Sequence, residues 1–132
     1  MNAFSHIAIN CRDKFAQEKF YTKHFGITRS RTFNKGEANE FFLLKLGSMR
    51  LELFGNGKAT ENDRGGEQAI GFRHLAFDVP KLEPVIEALR ADGIDVDPIK
   101  EVPHVAPGLR IVFFRDPEGN IIELLENYRD EE

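Results

Sequence analysis

Two histidines and two glutamates recur at matched places in the chain, and their types suit metal chemistry. Phe4-Ser5-His6-Ile7-Ala8-Ile9-Asn10 reads like Phe72-Arg73-His74-Leu75-Ala76-Phe77-Asp78, an offset of 68. Leu51-Glu52-Leu53 is echoed by Ile122-Glu123-Leu124 at an offset of 71. Residues two apart on a strand share a face. His6 therefore falls with Phe4 and Ala8, and His74 with Phe72 and Ala76, while Glu52 and Glu123 oppose their aliphatic neighbours. If helices cover the aliphatic faces, all four polar groups are left on the open, concave side, where Ala8 and Ala76 keep space. Two imidazoles and two carboxylates suit a divalent first-row transition metal. The carboxylates neutralise the dication, and an octahedral ion with four protein ligands keeps two positions for water or substrate oxygens, which is a catalytic rather than a bracing arrangement. A lone His or Glu in a strand is more often simply polar; two matched pairs favour the metal.

The elements that must position these residues follow the same duplication. Residues 4–10 read as a strand, and 13–25 as a helix that opens at Asp13, closes at Gly26 and repeats Ala16, Phe20, Tyr21 and Phe25 at helical spacing. Strands follow over 27–33, 39–46 and 49–54. The second half repeats the plan with a strand at 71–79 and a helix through 81–92. That helix carries Leu82, Val85, Ile86 and Leu89 and is capped by Gly93. Strands are expected at 94–100, 109–115 and 120–126, the last after an Asp116-Pro117-Glu118-Gly119 turn. The expected class is α+β, with a βαβββ module over 1–54, a solvated connector over 55–70 and a second module over 71–126. A half of this size buries only about 60% of its unfolded surface. The two sheets are therefore expected to pair with each other or with a second subunit, the metal sitting where the halves face each other.

Composition excludes other readings. The chain has 132 residues, enough for one domain, with 41% hydrophobic and 30% charged residues and a net charge of −4. The 18 basic residues are scattered, so no stripe awaits a nucleic acid. Apolar runs such as Phe41-Phe42-Leu43-Leu44 are far below the roughly 20 residues of a membrane span. Twelve Phe against no Trp and two Tyr predict a core of rings without polar handles. The start at Met1-Asn2-Ala3-Phe4 has no signal-peptide pattern, and the single Cys11 excludes an intrachain disulfide, so a reducing cytoplasm is expected. His24 on the helix and His104 in the Pro103–Pro107 loop are read as ordinary polar residues. Arg73 and Arg110 could hold an anionic substrate, although strand arginines more often face solvent, and Cys11 is expected to be inert.

The most specific segments are His6-Ile7-Ala8-Ile9, Phe20-Tyr21-Thr22-Lys23-His24-Phe25-Gly26, Gly71-Phe72-Arg73-His74-Leu75-Ala76-Phe77 and Phe114-Arg115-Asp116-Pro117-Glu118-Gly119-Asn120-Ile121-Ile122-Glu123-Leu124. On these the chain resembles the vicinal oxygen chelate superfamily, which includes glyoxalase I, extradiol dioxygenases, methylmalonyl-CoA epimerase and the fosfomycin and bleomycin resistance proteins. The resemblance implies a single domain over 1–132, built of paired βαβββ modules curling around a metal, and often a homodimer. The order His6, Glu52, His74, Glu123 looks most like glyoxalase I (lactoylglutathione lyase), which isomerises a glutathione hemithioacetal. That activity implies metal ligation by all four residues, with Ni, Zn, Co, Mn or Fe as the ion. The metal would hold enediolate oxygens while Glu123 or Glu52 carries the proton. A small-molecule substrate, such as a glutathione adduct, is the implied partner. The match is thinner at substrate recognition: Asn10 stands where glyoxalase I usually has Arg, the usual Asn is present as Asn56, and Pro103-His104-Val105-Ala106-Pro107-Gly108 replaces the usual Lys-Gly-Gly loop. An epimerase, an Fe(II) oxygenase or a metal-free bleomycin-type binding protein are the alternatives within the superfamily.

Overall fold

Each half of the chain forms a strand, a helix and three more strands, in an α+β fold of two βαβββ modules. The computed structural model describes residues 2–58, 68 and 70–129. The chain divides into two compact units, Met1–Asp63 and Arg64–Glu132. Most of the connector expected over 55–70 lies outside the described residues. Among those described, no helix is long and apolar enough to cross a membrane.

The first unit holds β1 (Ile7–Asn10), α1 (Lys14–Phe25), β2 (Thr28–Phe33), β3 (Phe41–Leu46) and β4 (Met49–Phe54), with sheet order β1-β4-β3-β2. β1 runs parallel to β4, and the other pairings are antiparallel. Asp13 starts α1 by accepting hydrogen bonds from the N–H groups of Phe15 and Ala16 at 3.1 and 3.0 Å, which satisfies two donors the helix itself leaves open. Gly26 ends it in the left-handed region at φ 67°. Strand parity divides the sheet as expected. Phe42, Leu44, Leu51 and Leu53 are buried on the helix side, and Ala8, Phe41, Leu43, Glu52 and Phe54 stay at least partly open. The buried stripe of α1 is Gln17, Phe20 and Tyr21; Ala16 is exposed and Phe25 half-buried, because at about 100° per residue each lies roughly 90° from the centre of the stripe, at its two edges.

The second unit holds β5 (Leu75–Asp78), α2 (Leu82–Ala91), β6 (Lys100–Glu101), β7 (Arg110–Arg115) and β8 (Ile121–Glu126), ordered β5-β8-β7-β6. Its core is Val112, Phe114, Ile122 and Leu124 of the sheet with Leu82, Ile86 and Leu89 of α2. Gly93, at φ 78°, closes α2, with its own N–H bonded to the Arg90 carbonyl and that of Ile94 to the Leu89 carbonyl. In the turn before β8, the buried Asp116 accepts hydrogen bonds from the backbone N–H of Glu118 and Asn120 and from the Asn120 side chain.

Three expectations change. β1 and β5 start at Ile7 and Leu75 rather than at residues 4 and 71, because continuing the register sets Phe4 opposite Ser48 and Phe72 opposite Gly119, in turns with no ladder to join. The strand expected over 94–100 shrinks to Lys100–Glu101 plus a bridge between Val96 and Phe114, since Pro98 lacks an N–H to donate. The rings do not all enter the core: Phe20, Phe42 and Phe114 are buried, but Phe4 and Phe72 are 73% and 96% exposed.

Candidate metal centre

His6 sits immediately before β1, and Glu52 lies at the middle of β4. Ala8 and Glu52 are register partners, so His6, two residues before Ala8, reaches Glu52 across the parallel pair. The imidazole Nε2 lies 3.1 Å from Glu52 Oε1, with the two side chains 40% and 16% exposed. Ser5 Oγ is 2.8 Å from His6 Nδ1, within hydrogen-bonding distance of the ring.

The second unit repeats this arrangement. Ala76 is the partner of Glu123, and His74 Nε2 lies 3.4 Å from Glu123 Oε1, with side chains 22% and 15% exposed. Phe113, the antiparallel partner of Glu123, meets the His74 ring edge-on at 5.6 Å. The buried His74 Nδ1 has no hydrogen-bond partner, in contrast to His6. Arg73 stands where the first unit has Ser5.

The donors fit a transition metal. Two adjacent ligands of an octahedral ion, each about 2.1 Å from it, are about 3.0 Å apart, close to the spacing in both pairs. Each pair offers one imidazole nitrogen and one carboxyl oxygen. Among the described residues no group of three or more His, Cys, Asp or Glu side chains capable of holding a metal stands together, so the structure brings the four expected ligands together as two pairs.

Residues 3–124 match the Glyoxalase/Bleomycin resistance protein/Dioxygenase superfamily. The chain belongs to this superfamily, the vicinal oxygen chelate group. Within it, the uncharacterized protein YwkD of Bacillus subtilis is 34% identical over 128 residues, 96% of this chain and 98% of that protein. A probable lactoylglutathione lyase of Vibrio parahaemolyticus is 31% identical over 129 residues, covering 92% of this chain and 88% of the other. The fosfomycin resistance protein FosX of Listeria monocytogenes, solved with Mn(II) and sulfate, shares the fold with a TM-score of 0.73 at 15% identity, over 97% of this chain and 94% of that one.

Against this superfamily background the remaining residues find their places. His24 packs on Phe20 within α1, away from the His–Glu face, and His104 is exposed after β6. Cys11 is fully buried, with Sγ 3.8 Å from the Ile9 carbonyl. Arg73 is exposed, whereas Arg110 points to the α2 side of its sheet, where Glu83 and Glu126 hold it, so it is no anion receptor on the open face.

Asn56, at the position the resemblance links to substrate recognition, has a structural task here. It adopts φ 63° and donates from Nδ2 to the Ala38 carbonyl at 3.3 Å. Asn127 is its unexpected twin, four residues after Glu123, with φ 69° and Nδ2 donating to the Gly108 carbonyl at 3.2 Å. The offset of 71 that relates the two glutamates would have found it. Asn56→Ala or Asn127→Ala each costs about 1–2 kcal/mol by forcing a Cβ residue lacking the amide into left-handed backbone, measured by denaturant unfolding. The glycine variants lose less.

Proposed function

We propose that the chain is a metal-dependent lyase or isomerase of the glyoxalase I kind, moving a proton between adjacent carbons of a hemithioacetal or related 2-oxo compound. The supporting observation is the pair of matched His–Glu contacts, at 3.1 and 3.4 Å, on the open faces of two repeated modules. His6 with Glu52, and His74 with Glu123, would hold Ni, Zn, Co, Mn or Fe. When bound, the ion supplies Lewis acidity to the substrate's two oxygens and lowers the cost of negative charge there. The chain's own part is the proton. Glu52 or Glu123 takes it from the carbon beside the carbonyl and returns it to the neighbouring carbon. Ala8 and Ala76, directly opposite the glutamates, leave the substrate room.

The substrate to try first is the glutathione adduct of methylglyoxal, with the chain working as a cytoplasmic homodimer. The test is metal analysis of protein purified without chelators, followed by conversion of the hemithioacetal in deuterated solvent. Expected are bound transition metal and solvent deuterium in the product. Protein that neither retains nor takes up any such metal overturns the proposal. Because Ser5 Oγ lies within hydrogen-bonding distance of His6 Nδ1, Ser5→Ala should weaken metal uptake by about 10–100-fold while leaving the melting temperature unchanged. Calorimetric titration of the metal-free protein measures this.

A further inference from the structure

The open face of the first sheet carries a row of stacked rings one step along from Glu52. Phe33 and Phe41 are register partners, as are Phe41 and Phe54. Their rings stack at 4.6 Å with planes 5° apart and at 4.3 Å with planes 15° apart. All three side chains are only half-buried. The stacking period is close to the strand separation of about 4.8 Å, so the sheet itself sets the spacing.

The row is closed at one end and open at the other. A β-bulge between Arg29 and Arg31 in β2 turns Arg31 to this face, and its guanidinium lies 4.3 Å from the Phe33 centroid. At the β1 end the next position is Asn10, the register partner of Phe54. Asn10 is exposed and short, and Phe54 meets no second ring among the described residues. One strand spacing beyond Phe54, above Asn10, there is thus a place for one more flat ring. It lies two residues along from the Ala8–Glu52 partners, about 7 Å away, within the length of one small molecule.

The fold does not require this row. The matching positions in the second sheet, Asp78, Leu125, Ile111 and Lys100, contain no ring, yet the same ladder forms. We infer that Phe33, Phe41 and Phe54 form a specificity shelf for a substrate that joins a flat aryl group to its two adjacent oxygens. The aryl group stacks on Phe54 above Asn10 while the oxygens lie toward His6 and Glu52. This inference rests on the proposed function for the placement of the oxygens; the stacking itself needs no metal.

The probes are phenylglyoxylate and pyruvate, which share a 2-oxo acid and differ in phenyl against methyl. Affinities are measured by calorimetry for the full chain with Zn2+ and again after its removal. Phenylglyoxylate is expected to bind roughly ten-fold tighter than pyruvate in both conditions. Phe54→Leu, which keeps apolar volume but removes the ring, and Asn10→Phe, which fills the vacant step, should each abolish that preference, with circular dichroism confirming the fold. Equal affinities, no phenylglyoxylate binding at millimolar concentration, or a phenyl preference that survives both substitutions overturns the inference. A chain that takes up no metal but prefers phenyl removes the proposed function and leaves the shelf standing. Metal uptake without phenyl preference does the reverse.

Discussion

If the proposed function holds, Glu123→Gln should lower turnover of the hemithioacetal by about 10²–10⁴-fold, and Glu52→Gln should have an effect of the same order. Glutamine keeps the shape of glutamate and one ligating oxygen but holds no negative charge and accepts no proton at neutral pH. The variant that removes the base keeps its metal and loses kcat. The one that removes a purely ligating carboxylate loses metal affinity first, and its activity partly returns with added metal. Groups that act on one substrate do not contribute additively, so the double variant should fall little below the worse single one. Losses that multiply would show that the two glutamates act at independent centres. Steady-state kinetics with metal content measured on the same samples decides between these outcomes. Neither glutamate is fully buried, at 16% and 15% exposure, so substitution should leave the melting temperature nearly unchanged and keep the comparison clean.

What the sequence made legible was whatever repeats with a fixed period. Alternation around Glu52 and Glu123 gave the correct face for both, because one step along a strand always reverses the side chain. Asp13, Gly26 and Gly93 marked helix ends because each satisfies a local backbone requirement. The Asp116 turn was readable for the same reason. What escaped depended on partners distant in sequence. The end of β1 is fixed by where β4 turns, which puts Phe4 in solvent although its own pattern continues the strand. The Asn127 amide reaches a carbonyl 19 residues away, and only the repeat offset could have hinted at it. The stacked row of Phe33, Phe41 and Phe54 depends on register across three strands, which composition alone does not encode.

Arg110, whose residue type and strand position allowed an anionic substrate, serves instead as a structural clasp. It pairs in register with Glu126 and donates to both oxygens of that carboxylate, at 2.7 and 2.9 Å, while reaching Glu83 of α2 at 2.8 Å. Glu126 is buried and also accepts the Leu82 N–H at 2.9 Å, at the start of α2. One guanidinium thus clasps β7, β8 and α2 together. Hydrogen bonds from Arg110 hold the Glu126 carboxyl below its ordinary value, ahead of the opposing effect of burial. A depressed carboxyl stabilises the fold at neutral pH, and that share is lost as pH falls through its folded value, below the usual glutamate value of about 4.3. Arg110→Gln leaves the buried carboxylate without its cation, and the melting temperature should drop on the order of 10 °C at pH 7. With Arg110 gone, burial acts on Glu126 unopposed by its main partner and raises its value, so acid protonates it and relieves the strain. The deficit relative to the unaltered chain should therefore shrink between pH 7 and pH 4. Glu126→Gln should cost less than Arg110→Gln at pH 7, because the amide oxygen still accepts the Leu82 N–H and Arg110 keeps Glu83. Calorimetric melts of the three proteins at both pH values provide the check, and a deficit independent of pH would show that Arg110 acts by packing alone.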